Sequence, residues 1–240
     1  MHKKACIFNW SGGKDSTLAL HYALQDPMLD IRYLVTTVTE QYNRVSMHGV
    51  RETLLITQAE SIGLPLYQIR LGEMPDMETY DNIMCMHLEK FKAEGITHSI
   101  FGDIFLEDLR NYRESKLSEI GLKAIFPLWG KHTRELITEF INLNYKTIIV
   151  CAQENLKDIC GKIISEDLID QLPPEIDPCG ENGEFHTFAF EGPIFNKKID
   201  FSIGEQVFRT YSSPSKNTSA NNDTCDKPAL SGFWYVDLVD

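Results

Sequence analysis

The sequence predicts an α/β protein in which a doubly wound, mostly parallel sheet is followed by a smaller C-terminal α+β region. Three observations lead to this prediction. Short apolar, β-branched runs alternate with helix-length segments over the first 150 residues, which is typical of βαβ units. A glycine-rich stretch joins the first run to the first helical segment. Beyond about residue 153, Pro, Gly and acidic residues separate short extended runs.

The first domain is predicted to span residues 1–150 and to contain six strands and five helices. The strands are expected at 5–9, 31–38, 66–69, 96–104, 124–128 and 147–152, where apolar or β-branched residues cluster. The helices are expected at 14–25, 49–62, 77–93, 106–120 and 132–142, where apolar residues recur every three or four positions. The polar segment 40–48 reads as a loop long enough to cover a site.

The second region is predicted to span residues 151–240 and to supply a second wall to the ligand crevice. It begins with a helix at 155–169 and continues with extended runs at 187–190, 198–203, 206–211 and 234–239. Residues 212–228 contain almost no large apolar side chains, so this segment is expected to be a mobile loop.

Composition narrows the class of protein. The chain has 240 residues and a net charge of −12, which makes nucleic acid an unfavourable partner. Its longest apolar runs fall short of the ~20 residues that a membrane span needs. Its six cysteines show no CxxC pair and no metal-ligand spacing. We therefore expect a cytoplasmic protein without a membrane span and without disulfides.

The stretch Ser11-Gly12-Gly13-Lys14-Asp15-Ser16 follows the first strand directly and opens the first helix. Glycines let the backbone approach a ligand closely, and a helix start presents unpaired N–H groups and a positive dipole end to an anion. Lys14 adds a positive charge, and Asp15 can hold the loop or a metal ion. The stretch matches neither GxxxxGK[ST] nor GxGxxG. We interpret it as a nucleotide phosphate site; the alternative is a turn that only joins strand and helix.

Two further clusters fall where the predicted fold brings them to the same crevice. Asp103 ends the fourth strand, and Arg110 and Arg113 follow on one helix face, where they can clamp a carboxylate or phosphate. The alternative for the arginines is ordinary solvated ion pairing. The segment 177–187 is rich in polar groups, and we single out Glu181, Asn182, Glu184 and His186 as substrate-binding candidates. The alternative is a polar entry into a hairpin.

Taken together, these motifs resemble a known family. SGGKDS is similar to the pyrophosphate loop of the N-type ATP pyrophosphatases, the PP-loop enzymes, whose sheet is of the HUP type. With residues 48–66, FGDI and Arg110, FPLW at 126–129, GENGEFHTF and GPIF at 192–195, the chain resembles the diphthine–ammonia ligase branch and its bacterial relatives. Asn182 and His186 depart from the GEGGEFET pattern that is usual in that branch.

The resemblance implies an ATP-dependent ligase that adenylates a carboxylate, releases AMP and pyrophosphate, and amidates the acceptor with ammonia. In the diphthine–ammonia ligases the acceptor carboxylate belongs to a modified histidine of a translation factor, elongation factor 2. By resemblance, Ser11 to Ser16 would bind ATP with Mg²⁺ on Asp15, and the end of the second strand at Val38 would meet the adenine. Lys14, Asp15 and Asp103 would be catalytic. The prediction allows a homodimer. The alternatives are a PP-loop tRNA-modifying enzyme and a non-catalytic adenine-nucleotide-binding protein.

Overall fold

The first sheet is built on five parallel strands in the order β4-β2-β1-β5-β6. The computed structural model describes residues 3–45, 49–72, 75–212 and 230–240. The strands are β1 (Lys4–Asn9), β2 (Leu29–Thr39), β3 (Arg44–Val45), β4 (Leu66–Leu71), β5 (His98–Ile100) and β6 (Lys123–Ile125). The two-residue strand β3 pairs antiparallel with the end of β2. The strand order reverses between β1 and β5, and ligands bind at such switch points in open α/β sheets.

Helices cover both faces of this sheet. They are α1 (Lys14–Gln25), α2 (Glu52–Ile62), α3 (Met77–Ala93), α4 (Glu107–Ile120) and α5 (Thr133–Asn142). Alternate side chains of β1 enter two separate cores, because successive residues of a strand point to opposite faces. Cys6 and Phe8 pack in a core with α1, α2 and α5. Ala5 and Ile7 pack with α3 and α4 on the other face.

The second sheet is antiparallel, with the order β8-β7-β10-β9. Its strands are β7 (Lys146–Gln153), β8 (Phe185–Glu191), β9 (Ser202–Ser212) and β10 (Leu230–Val239). A 3₁₀ helix (Glu154–Ile159) and the short helix α6 (Glu166–Asp170) follow β7. Phe185 and Phe188 of β8 belong to the same apolar core as Phe8 and Leu54. The two sheets are therefore joined by one continuous core, which places β8 beside the ligand end of β1.

The predicted fold class is confirmed, and several element assignments are corrected. The strand predicted at 147–152 lies in the second sheet rather than the parallel one, since it pairs antiparallel with β8 and β10. The prediction of one helix at 155–169 is wrong, because the chain turns at Gly161 (φ +87°) and Ile163 forms a β-bridge with Ile148. The runs at 198–203 and 206–211 lie largely in one strand, β9.

The remaining predictions concern the fourth strand, the loop at 212–228, the domain division, membrane spans and the cysteines. The strand predicted at 96–104 is only three residues long, because the backbone leaves the sheet at Phe101 to form the ligand-facing loop. Ser212 ends β9, while the rest of the predicted mobile loop lies outside the described residues. The division into domains at about residue 150 stays a prediction. Over the described ranges, no helix is both long and apolar enough to cross a membrane, and the five cysteines there are free thiols.

Candidate active site

A cavity of about 730 Å³ opens at the carboxyl edge of the parallel sheet, beside the switch point between β1 and β5. This volume is in the range of small-molecule sites. Its walls come from the SGGKDS loop, the end of β2, the loop after β5, helices α3 and α4, and the 180–187 loop. The three clusters singled out in the sequence thus meet at one cavity.

At one position the backbone of the SGGKDS loop takes a left-handed conformation that favours glycine. Gly12 has φ +78°, and a Cβ there would lie 2.7 Å from Oε1 of Gln58. Helix α1 begins at Lys14, so its first N–H groups have no intrahelical acceptor. The Ser11 hydroxyl donates to the Ser16 hydroxyl (3.0 Å), which donates to the carbonyl of Gly13 (2.9 Å). These bonds hold the loop in the shape of an anion cradle.

Lys14 is buried to 3% exposure, which is unusual for a lysine. Its ammonium group lies 2.8 Å from Oδ2 of Asp15 and also donates to the carbonyl oxygen of Cys179. Burial is the largest single influence and acts to lower the pKa of Lys14, but the attractions of Asp15, Cys179 and Glu181 together outweigh it, and the net pKa is raised. Lys14 is therefore a positive charge held ready beside the loop at neutral pH.

The second sheet is tied directly to the SGGKDS loop. The backbone N–H of Lys14 donates to the Thr187 hydroxyl (3.0 Å), and the N–H of Ala189 donates to the carbonyl of Gly12 (2.8 Å). Gln58 is fully buried between them: its amide donates to the carbonyls of Gly12 (3.0 Å) and Ala189 (2.5 Å), and it accepts from the Trp10 indole (3.0 Å). Strand β8 thus positions the loop through the Thr187 hydroxyl and the Ala189 backbone.

The 177–187 loop is shaped by two carboxylates. Asp177 accepts from the backbone N–H groups of Cys179 (2.9 Å) and Glu181 (3.2 Å), and from the Thr133 hydroxyl (2.6 Å). Glu184 is 5% exposed, and its Oε1 accepts from the N–H of Asp177 (3.0 Å) and the Asn182 amide (3.1 Å). Asn182 lines the cavity, but Glu184 does not. Glu184 therefore stabilises the loop from behind.

Glu181 and His186 both line the cavity, and burial shifts the pKa of each. Burial raises the pKa of Glu181 to about 7, and the neighbouring Asp15 charge adds to the shift. One Glu181 oxygen is fixed by the N–H of Ile104 at 2.8 Å. Burial lowers the pKa of His186 to about 4, so its ring is neutral at physiological pH. A carboxyl that titrates near neutrality can exchange a proton with a substrate.

Asp103 faces the cavity, and the loop that carries it packs closely on SGGKDS. A Cβ at Gly102 would lie 3.1 Å from backbone atoms of Asp15 and Ser16, so this contact depends on glycine. Asp103 forms an ion pair with Arg113, with the Arg113 Nε atom 3.0 Å from Oδ2. Arg113 also lines the cavity.

Besides Gly12 and Glu184, which shape the loops from behind, two further residues singled out in the sequence do not line the cavity. Arg110 pairs with Glu114 (2.8 Å) and stacks over Trp129, with 4.6 Å from the guanidinium carbon to the ring centroid, outside the cavity wall. Val38 is fully buried in β2, where Val45 and Arg70 pair with it. Its place at the cavity is taken by Val35, Thr36 and Thr37. The helix and the strand are as predicted, whereas the binding roles of Arg110 and Val38 stay predictions that their positions outside the cavity wall do not support.

No cluster of three or more His, Cys, Asp or Glu side chains that could hold a metal ion occurs among the described residues. Asp15 is the candidate carboxylate, and 30% of its side chain is exposed. Mg²⁺ at nucleotide sites is commonly held by one or two carboxylates together with substrate phosphates. The residues present therefore fit a metal that arrives with the nucleotide.

Sequence reasoning missed Gln58 altogether, whereas it considered Arg113 together with Arg110 and placed Asp177 and Thr187 only within a polar segment. Gln58 left a usable signal, because an amide on the apolar face of α2, beside Leu54, Leu55 and Ala59, needs a buried partner. Thr187 and Asp177 lie in the polar segment already noted, but nothing local indicates which of its groups bind the protein itself.

The fold and the site together define a class. The first strand of the parallel sheet leads into SGGKDS at the switch point, and a lysine lies beside the helix start. These features define a PP-loop protein of the N-type ATP pyrophosphatase class. Within that class the chain belongs to the diphthamide synthase family. The model of the diphthamide synthase N-terminal domain matches residues 3–124, and that of the C-terminal domain matches residues 132–213.

Relatives of the chain are named diphthine–ammonia ligase. The protein from Mus musculus is 26% identical over 173 residues, which cover 63% of each chain. That from Schizosaccharomyces pombe is 26% identical over 221 residues, covering 82% of this chain and 36% of the relative. That from Danio rerio is 22% identical over 224 residues, covering 83% and 87%. The chain thus spans less than two thirds of the mouse and fission-yeast relatives.

Proposed function

We propose that this protein is an ATP-dependent ligase that adenylates an acceptor carboxylate and amidates it with ammonia, in the manner of a diphthine–ammonia ligase. In such a reaction ATP supplies AMP to the carboxylate, pyrophosphate leaves, and ammonia then displaces AMP to form the amide. The acceptor is a carboxylate borne by a protein, with diphthine as the model that the relatives' names suggest.

The observation that carries this proposal is the convergence of two loops on one cavity. The SGGKDS loop supplies an anion cradle, and the adjoining 180–187 loop supplies titratable groups. Lys14 links them, because its N–H bonds to Thr187 and its ammonium group bonds to Cys179. A nucleotide and an acceptor bound there would share one enclosed space, which transfer between them requires.

Each wall has a distinct task in this proposal. Lys14 and the N-terminal amides of α1 would bind the phosphates and stabilise the charge that develops on departing pyrophosphate. Asp15 would hold Mg²⁺ together with those phosphates. Asp103, Glu181 and Asn182 would face the acceptor, with neutral His186 beside them. Glu181 can accept a proton as the nitrogen nucleophile adds, since its pKa lies near neutrality.

The test is to incubate the protein with ATP, Mg²⁺, ammonium and elongation factor 2 that carries diphthine, and to quantify nucleotides and amide. We expect AMP, pyrophosphate and amide in equal amounts. Lys14→Met, which keeps the side-chain length but removes the charge, should reduce AMP formation by about a hundredfold to a thousandfold. Thermal unfolding of the variant separates this effect from loss of fold.

Three outcomes would contradict the proposal. Release of ADP and phosphate would mean cleavage at a different bond. If the protein binds ATP but forms no AMP with any acceptor tested, it is a non-catalytic adenine-nucleotide-binding protein. Stimulation of AMP formation by tRNA and not by the protein acceptor would indicate a tRNA-modifying enzyme. The same preparation, examined by analytical ultracentrifugation, tests the predicted homodimer.

A further inference from the structure

Two arginines on one face of α4 have different surroundings, although they lie three residues apart. Both stack on a row of aromatic rings in which Phe101 and Phe126 are stacked at 5.5 Å and Phe126 contacts Trp129 at 5.8 Å. Arg113 lies over Phe101, at 4.4 Å from the ring centroid, at the cavity end of the row. Arg110 lies over Trp129, at the end outside the cavity.

The ion pair of Arg113 with Asp103 is incomplete. Nη2 of Arg113 donates to Oδ1 of Asp103 at 3.1 Å. Nε and Oδ2 are 3.0 Å apart, but within the described part of the chain both are buried atoms without a hydrogen-bond partner. The N–H is therefore close to the oxygen without being directed at it. A guanidinium has five N–H donors, and Asp103 uses one of them.

The Arg113 guanidinium can bind a second oxyanion in addition to the Asp103 carboxylate. Stacking on Phe101 fixes the plane of the guanidinium and leaves its edge to accept ligands. Asp103 is 9% exposed and restrains the guanidinium at the cavity wall. A planar carboxylate matches the edge of a guanidinium, with two parallel N–H···O bonds. The donors that an incoming carboxylate can reach are those on the terminal nitrogens of Arg113, because Nε is buried against Asp103.

The position of Arg113 separates this subsite from the phosphate cradle. Lys14 and the start of α1 form the cradle, whereas Arg113 extends from α4 toward Tyr80, Tyr112 and Asp81, which line the branch of the cavity between α3 and α4. Asp81 is itself neutralised by an ion pair with Lys116 at 2.7 Å. The branch is lined by two cations, Arg113 and Lys116, and by three carboxylates, Asp81, Asp103 and Glu119. The remaining N–H donors of Arg113, rather than an overall positive charge, would therefore hold an anion there.

We propose that Arg113, restrained by Asp103 and Phe101, binds the carboxylate of the acceptor in the branch of the cavity between α3 and α4, and that Arg110 does not. This proposal rests on the proposed function for the identity of the acceptor. The sequence suggested a clamp made by both arginines, and the proposal assigns this role to Arg113 alone.

The first experiment compares Arg113→Lys with Arg110→Lys, since both changes keep the charge and remove the planar fork. Calorimetric titration with ATP and Mg²⁺ should give the same affinity for both variants as for the wild type. Titration with diphthine-bearing elongation factor 2, in the presence of a non-hydrolysable ATP analogue, should weaken at least about tenfold for Arg113→Lys only. Loss of ATP affinity in Arg113→Lys would assign the residue to phosphate and overturn the proposal, as would equal effects of both variants on the acceptor.

The second experiment does not depend on which molecule is the acceptor. The Nε–H signal of Arg113 is followed by NMR in ¹⁵N-arginine-labelled protein, assigned by its absence from Arg113→Lys. Addition of sodium glutarate, with sodium chloride at equal ionic strength as the control, should shift this signal and leave that of Arg110 in place. An unmoved Arg113 signal would overturn the carboxylate subsite, and a larger shift with inorganic phosphate would assign it to phosphate instead. If glutarate shifts the signal but the wild type forms no amide with diphthine, the subsite stands and the proposed function fails.

Discussion

The backbone N–H of Lys14 donates a 3.0 Å hydrogen bond to the hydroxyl of Thr187, a residue 173 positions further along the chain. This bond joins the first turn of α1, which follows the first strand of the parallel sheet, to strand β8 of the antiparallel sheet. Both partners are buried, so neither can exchange this bond for one with water. The geometry of the phosphate cradle therefore depends on the C-terminal sheet as well as on its own loop.

Thr187→Val tests this dependence, because valine has nearly the shape of threonine but lacks the hydroxyl. The buried N–H of Lys14 would lose its partner, at a cost of about 1–3 kcal/mol in the free energy of unfolding. We also expect several-fold weaker ATP binding, since β8 would no longer hold the helix start. Urea denaturation and calorimetric ATP titration measure the two effects.

Thr187→Ser is the matched control, since it keeps the hydroxyl and removes one buried methyl group. It should cost about 1 kcal/mol in stability and leave ATP affinity at the wild-type value. Equal ATP affinity in the valine and serine variants would show that the cradle does not need this bond.

The fold was predictable from local patterns, and the parts of the site that depend on tertiary contacts were not. The predicted bounds of α1 and α3 coincide with those observed, because each helix has a periodic apolar face and α3 has an Asp76 cap that accepts from the N–H of Thr79. Strand β7 was recognised as a strand but placed in the wrong sheet, since an apolar run does not specify its pairing partner. Arg110 and Arg113 share a helix face, and only the packing of α4 on Phe101 decides which one reaches the cavity.

Gly102 sets the distance between the two loops that carry the nucleotide and acceptor groups. In Gly102→Ala, the added Cβ would lie 3.1 Å from backbone atoms of Asp15 and Ser16, and backbone moves less readily than a side-chain tip. We expect the SGGKDS loop to shift, with a loss of about 1–3 kcal/mol in stability and weaker ATP binding. Thermal unfolding and ATP titration measure both.

Gly72→Ala is the control for Gly102→Ala, because a Cβ at Gly72 meets no atom within 4 Å. This variant should match the wild type in ATP binding. If Gly102→Ala also matches the wild type, the close approach of the two loops is not required for the nucleotide site.

Asp237 of β10 connects the end of the chain to the first sheet through two arginines. Its carboxylate lies 2.8 Å from Arg44 and 2.7 Å from Arg51, and hydrogen bonds from Arg51 are the main cause that lowers the pKa of Asp237 to about 2, from an ordinary value of 3.8. A lowered folded-state pKa contributes stability that is present above 3.8 and is lost as the pH falls through about 2. Asp237→Asn should therefore cost about 2 kcal/mol at neutral pH.

The pH dependence distinguishes this ion pair from a packing effect. The stability difference between wild type and Asp237→Asn, measured by urea denaturation, should be constant near neutrality and shrink as the pH falls below about 4. Asp240→Asn is the control, since Asp240 lies 3.9 Å from Arg51 and is 43% exposed; it should change stability little. A difference for Asp237→Asn that does not vary with pH would contradict the electrostatic account.

Glu181 gives the opposite pH dependence, because burial raises the pKa of its carboxyl instead of lowering it. Its folded-state pKa of about 7 lies above the ordinary value of 4.5, so the folded protein holds a proton between these values that the unfolded chain releases. The resulting stabilisation is complete below 4.5 and is lost as the pH rises through about 7. Glu181→Gln carries a neutral group of nearly the same shape at every pH. The variant should match the wild type in stability near pH 4.5 and exceed it by roughly 3 kcal/mol above pH 7.

Urea denaturation across this pH range, without nucleotide, checks the prediction, and Glu60→Gln on the exposed side of α2 controls for the loss of one negative charge. If Glu181 is the group that accepts a proton during amide formation, Glu181→Gln should be more stable than the wild type at neutral pH and yet form less amide. When a buried charged group serves catalysis, replacing it with a neutral group is expected to stabilise the protein and to slow turnover. A Glu181→Gln variant that is less stable than the wild type at every pH would instead mean that the carboxylate serves the loop, through its bond to the N–H of Ile104, and not the reaction.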